Sequence, residues 1–119
     1  MAPALNQKKL LKKWYKKSEI EQWRKQGYLD TPKGRIGIGY LREAKDYNRI
    51  LRKIRIPTLI LHGKEDKDIP LRMVKETFKK LKIKEKRLII IPKCDHHFES
   101  YFARQKLIEN SLNWFLRYL

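Results

Sequence analysis

Only one cysteine, Cys94, occurs in the 119 residues. No internal disulfide is possible, and the usage fits a reducing compartment. Long apolar runs are missing too. None approaches the ~18 residues that a membrane helix requires, so no membrane span is expected. The first apolar cluster, Leu10-Leu11, is short and flanked by lysines, unlike a secretory signal. These absences together lead to the expectation of a cytoplasmic protein. Glycine is scarce at five residues, and three of them fall in "GRIGIG" (34–39). That stretch lacks dinucleotide-binding spacing and follows no buried strand, which argues against a phosphate cradle. The chain is long enough for one domain.

Acidic residues are the other deficit: 13 Asp and Glu stand against 30 Lys and Arg, a net charge of +17. Such a balance raises nucleic acid, an anionic membrane or an acidic protein as partners. The alternative is a lysine-coated solvated surface. Lysines outnumber arginines two to one and lie spread along the chain, with no aromatic-plus-arginine RNA motif. Weak, sequence-blind polyanion binding is therefore the expectation from charge alone.

Turning to what is present, "KKLLKKWYKK" (8–17) sets Leu10, Leu11, Trp14 and Tyr15 on one helical face. Ser18 with Glu21 three residues on has the pattern of a capping box, opening a second helix through Ile20 and Trp23 that Gly27 ends. Pro32 and Gly34 mark a turn, and Ile36 and Ile38 alternate with small residues, predicting a short hairpin. Residues 41–54 read as one amphipathic helix with Ala44, Tyr47, Leu51 and Ile54 inward and Arg42, Lys45, Arg49 and Arg52 outward. Pro57 stops it.

The second half reads strand, helix, strand, helix. The strands are "PTLILHG" (57–63) and "RLIIIP" (87–92). Pro70 suits the first residue of the helix between them, whose apolar stripe is Met73, Val74, Thr77, Phe78 and Leu81. The last helix is predicted from about Glu99 to Leu119, with Tyr101, Ile108, Leu112, Phe115, Leu116 and Leu119 facing inward. Continuous aliphatic strands imply a parallel sheet covered on both faces. Ligand sites in such sheets lie beyond the carboxyl ends of the strands. His62, Glu65, Asp66 and Asp68 follow the first strand; Cys94, Asp95, His96 and His97 follow the second.

"IPTLILHGKEDKDIP" (56–70) followed by "LIIIPKCDHHF" (88–98) resembles the C-terminal portion of the α/β-hydrolase fold. The likeness is nearest to the dienelactone-hydrolase and prolyl-oligopeptidase-like serine hydrolases. The family's His-Gly, Asp and aliphatic-Pro positions are His62-Gly63, Asp66 and Ile69-Pro70. Its Gly-Ala-Asp-His-x-Phe is Lys93-Cys94-Asp95-His96-His97-Phe98. "EIEQWRKQGYLD" and "LREAKDYN" look like the family's lid and pre-strand region. The resemblance implies a partial α/β-hydrolase fold: two parallel strands, about 57–61 and 87–91, flanking helices, and a helical and hairpin lid-like segment over 1–56. Residues 57–119 would form the C-terminal βαβα of one domain spanning 1–119. It implies Asp66 as the acid and His96 as the base of a Ser-His-Asp triad, in the chain order that fold uses. No cofactor is implied.

Two departures bear on this. Lys93-Cys94 stands where the family has Gly-Ala, in the loop that aims His96. The nucleophile elbow Gly-x-Ser-x-Gly is absent: Ser18, Ser100 and Ser111 have no glycine flanks. The expectation is thus a C-terminal fragment or subunit of an esterase- or peptidase-like serine hydrolase, beginning at its own Met1. Its nucleophile would come from a separate polypeptide carrying the N-terminal half of the fold. The alternatives are a non-catalytic remnant that self-associates through the bare edge of 57–61 as a homo-oligomer, or a basic nucleic-acid-binding protein. Among individual residues, Asp66 also suits a cap on the turn before Pro70, and His97 a loop histidine. His62 is expected beneath the strand-end turn, and Cys94 as a small buried filler. A zinc site drawn from His62, Asp66, Cys94, His96 and His97 is chemically conceivable, but the spacing matches no standard zinc signature.

Overall fold

The computed structural model describes residues 6–119. They fall into two compact units, one ending at Tyr47 and the other running from Asn48 to Leu119. The sequence placed its division later, between residues 56 and 57.

In the first unit, helix α1 (Gln7–Trp14) buries Leu10 and Leu11. It stops at Tyr15, which is extended at φ −122 and ψ 140. Lys16 is the N-cap residue of helix α2 (Lys17–Gln26); its N–H donates to Glu19 Oε2 at 2.6 Å. This carboxylate half of a capping box sits two residues before the predicted Ser18–Glu21 pair, Lys16 having no side-chain acceptor for the other half, and Ser18 lies inside the helix. A carboxylate three residues past the cap is the feature that selects the position. Gly27 ends α2 in the left-handed region, φ 87, as its sequence context predicts. Strands β1 (Tyr28–Thr31) and β2 (Gly34–Gly37) then form the antiparallel hairpin. Leu11, Trp23, Leu29 and Ala44 make the buried core of this unit.

The single helix expected over 41–54 is instead two short ones, α3 (Ile38–Glu43) and α4 (Asn48–Leu51). Backbone pairing breaks it. Gln7 N–H donates to the Lys45 carbonyl at 3.1 Å, and Asn6 bridges Asp46. Those bonds draw 44–46 into an extended path that helical periodicity does not reveal.

The second unit carries the parallel pair. Strand β3 (Thr58–Gly63) and strand β4 (Lys86–Ile91) run side by side from Thr58↔Lys86 to Gly63↔Ile91. Helix α5 (Leu71–Lys80) makes the crossover and buries Val74 and Thr77; Pro70 is extended at the N-cap position, one residue before the first helical place expected for it, and makes no side-chain cap. Helix α6 (Tyr101–Tyr118) begins where Ser100 Oγ accepts the Ala103 N–H at 3.0 Å. Side chains alternate across a strand. Leu59, Leu61, Ile89 and Ile91 accordingly pack with Cys94, Phe98, Ala103 and Leu107 on the α6 side. Ile60 and His62 point to the opposite face.

Two expectations fail here. The predicted inner face of α6 is turned outward: Ile108 is 65% and Leu116 73% exposed. Ala103 and Leu107 hold the helix to the sheet instead. Apolar residues lie all round this helix, so periodicity could not choose among faces. Nor is β4 buried on both sides. Only its Ile91 is fully buried, because two strands are too narrow for two helices to enclose. Among the described residues, β3 has no strand neighbour on the side away from β4.

Gly63, the last residue of β3, lies against the turn that follows β4. A Cβ there would collide with the Cys94 carbonyl and sit 2.6 Å from that of Asp95. Both obstacles are backbone. Gly63→Ala is expected to lower stability by about 2 kcal/mol, the range for overpacking a rigid site. Urea unfolding measures this; an unchanged midpoint would mean the turn yields.

Candidate active site

The loops leaving β3 and β4 meet at their carboxyl ends. Lys64 N–H donates to the Ile91 carbonyl at 2.8 Å, and Glu65 N–H to the Cys94 carbonyl at 2.9 Å. The parallel ladder thus continues past the strands and brings residues 64–66 against 94–96.

Asp66 sits at the centre, its side chain 2% exposed. Its two oxygens have different work. Oδ1 accepts the backbone N–H of Asp68 at 2.9 Å and of Ile69 at 2.8 Å, closing the turn before α5. Oδ2 lies 2.8 Å from His96 Nδ1. The sequence offered a turn cap and a partner for His96 as alternatives; one carboxylate does both. Burial alone would raise the Asp66 carboxyl. The Ile69 N–H, the His96 ring and the Asp68 N–H outweigh it and hold the group below the usual carboxylate range.

His96 is partly open, its side chain 27% exposed, and its ring packs edge-on to His97 with centroids 5.2 Å apart. With Nδ1 engaged by Asp66, the chemistry available to the ring is proton acceptance at Nε2. His97 is exposed, as a loop histidine would be. Cys94 is 1% exposed, within the α6-side core. Burial pushes its thiol up, with Asp95 and Asp66 adding to the effect, so it is poorly suited to nucleophilic attack.

The Lys93-Cys94 departure leaves this geometry intact at a local cost. Lys93 takes φ 49, the left-handed region that glycine enters freely. Phe98 also does so, at φ 55, while remaining 4% exposed in the core. Each such residue costs about 1–2 kcal/mol. Two strained residues thus bracket His96.

Of the five residues weighed for zinc, Asp66 and His96 come together, joined by Asp68; polar atoms of these three lie within 4.8 Å of one another. Both Asp66 oxygens are already committed to hydrogen bonds.

The sequence reading missed the contact of His62 with this pair. His62 is 1% exposed beneath the turn, and its Nδ1 lies 3.6 Å from Asp66 Oδ2. The i, i+4 spacing of His62 and Asp66 carries no signal by itself, because they lie on a strand and the loop after it. Burial lowers the His62 pKa, against the pull of Asp66.

Acidification is therefore expected to destabilise the chain in two windows. Below its ordinary value of 6.5, His62 takes a proton in the unfolded chain but not in the fold, until the lowered folded pKa is reached. Below its ordinary 3.8, Asp66 does the same. In each window the unfolded state binds more protons, so stability is lost as the pH is lowered. Urea unfolding across this range should lose its upper step in His62→Phe and its lower step in Asp66→Asn.

Residues 6–100 match the Hydrolase_4 family model, described as serine aminopeptidase, S33. No curated protein matches the chain. No helix among the described residues is long and apolar enough to cross a membrane. With the matched region covering both units and running through the Asp66 and His96 loops, the chain belongs to the Hydrolase_4, S33 serine aminopeptidase family of α/β-hydrolases.

Proposed function

We propose that Asp66 and His96 are the acid and base of a Ser-His-Asp hydrolase whose serine lies outside these residues. The carrying observation is the 2.8 Å contact between His96 Nδ1 and the buried Asp66 Oδ2, on a ring that is still 27% exposed. Such a carboxylate fixes the tautomer that leaves Nε2 free to take a hydroxyl proton. It then stabilises the imidazolium that forms, and Nε2 returns the proton to the leaving group. The substrate class is an ester or peptide, in keeping with the likeness to dienelactone-hydrolase and prolyl-oligopeptidase-like enzymes. The nucleophile is supplied by a second polypeptide that pairs with the open side of β3. The apolar groove beside that edge, lined by Ile56, Leu59, Leu107, Trp114 and Phe115, suits such docking. The net charge of +17 would speed encounter with an acidic partner.

A second reading is a non-catalytic protein that associates with itself through the same edge. The outward apolar face of α6 favours it, with Phe115 56% and Leu116 73% exposed.

Affinity capture with the full chain from its source cell, followed by a fluorophosphonate probe, separates the two. The first reading expects a labelled serine on a co-purifying polypeptide and ester hydrolysis by the pair. It expects Asp66→Asn to slow turnover about 10⁴-fold, as the wrong tautomer does in serine proteases. Asp68→Asn and His97→Ala should be mild by comparison. Capture of further copies of this chain alone supports the second reading. An active pair whose rate is unchanged by His96→Ala sinks the first.

A further inference from the structure

His62 has an unusual position for a polar side chain. It is 1% exposed, and neither ring nitrogen makes a hydrogen bond. Buried polar groups without partners are rare, and each calls for a reason. An apolar residue would fill the space beneath this turn without that cost. The ring instead presents Nδ1 to Asp66 Oδ2 at 3.6 Å, on the oxygen that also faces His96 Nδ1 at 2.8 Å. Oδ1 is taken by the Asp68 and Ile69 N–H groups, so both imidazoles address the other oxygen. His96 is partly exposed on a loop, whereas His62 is part of β3 and wholly enclosed.

We propose that His62 is a positioning residue for the Asp66–His96 pair: its Nδ1–H dipole points at Oδ2 across 3.6 Å and holds that oxygen toward His96 by charge–dipole attraction rather than by a hydrogen bond. A neutral imidazole carries one N–H, and its position decides the matter. On Nδ1 it faces a carboxylate. Neither nitrogen has an acceptor in hydrogen-bond geometry, so the nearby anion is what distinguishes them. With the proton on Nε2, the Nδ1 lone pair would confront the Asp66 anion. The titratable groups facing the ring among the described residues are Asp66 and His96. Burial keeps the ring neutral, so it can orient the carboxylate without neutralising it. This role rests on the reading of Asp66 and His96 as acid and base.

The test is long-range proton–nitrogen NMR of the imidazoles in the full chain, in mildly alkaline solution. The wild type is expected to hold His62 and His96 both as Nδ1–H tautomers. His62→Phe removes the donor and fills the site. His62→Gln places its amide nitrogen near the Nε2 position; His62→Asn places it at the Nδ1 position. In the Phe and Gln variants the ratio of Nδ1–H to Nε2–H tautomer at His96 should fall roughly threefold, no more than the weakest neutral hydrogen bonds contribute. In the Asn variant it should recover. A packing role predicts the reverse order, since Asn leaves the largest void. The proposal is overturned by a wild-type His62 in the Nε2–H form, or by a His96 ratio indifferent to all three changes. Should any variant fail to fold, the wild-type tautomer of His62 still decides. A wild-type His96 not held as Nδ1–H would sink the acid–base reading itself; a held His96 that ignores the variants sinks only the role of His62.

Discussion

The close passage of Gly63 beneath the Cys94 and Asp95 carbonyls holds the rest of the site in place. Only a residue without a Cβ lets the end of β3 come this near the turn after β4. From that approach follow the Glu65 to Cys94 backbone bond and the short reach between Asp66 and His96. A displacement of even 1 Å would turn a 2.8 Å hydrogen bond into a contact too long to fix a tautomer. The two left-handed residues are the local cost of the same arrangement. Lys93 turns the chain out of β4, and Phe98 turns it toward α6 while anchoring in the core. Strain borne by backbone on either side of a functional side chain persists only where surrounding contacts over-determine it. The buried Phe98 and Cys94 side chains supply those contacts.

Much of this was legible from sequence, and the limits are physical. Strands β3 and β4 were readable because aliphatic runs bounded by proline and glycine have few other solutions. Asp66 and His96 could be picked out because their spacing matched a family pattern; nothing in composition marks them. The structure adds what spacing cannot hold, that Asp66 divides its two oxygens between a turn and a ring. The helix over 41–54 was misread because its break is made by bonds to residues 6 and 7, far away in sequence. Local periodicity contains no term for such pairing. The α6 error has a different origin. That helix has apolar residues on every side, so the choice of face is made by which small residue fits the sheet, and Ala103 is the one that does. His62 was placed correctly beneath the turn, but its neighbour across 3.6 Å was not foreseen, since a histidine on a strand gives no sign of which loop folds over it.

The proposed site and the open edge belong to the same strand, so the proposed chemistry and the proposed association share one element. In parallel strands the carboxyl ends lie on one side of the sheet. Neighbouring strands are separated by about 4.8 Å. A strand added in parallel along Thr58–Gly63 would therefore deliver its own following loop beside the Asp66 turn, at a distance that one or two residues can span. The apolar groove continues that edge through Leu107, Trp114 and Phe115, so α6 offers burial where β3 offers backbone pairing. Pairing in register and burial of the α6 face are favourable together, and neither satisfies the other alone. An antiparallel strand would meet the same hydrogen-bonding groups but send its carboxyl end to the far side, away from His96. Strand direction, more than affinity, thus decides whether an associated chain can contribute a nucleophile to this site.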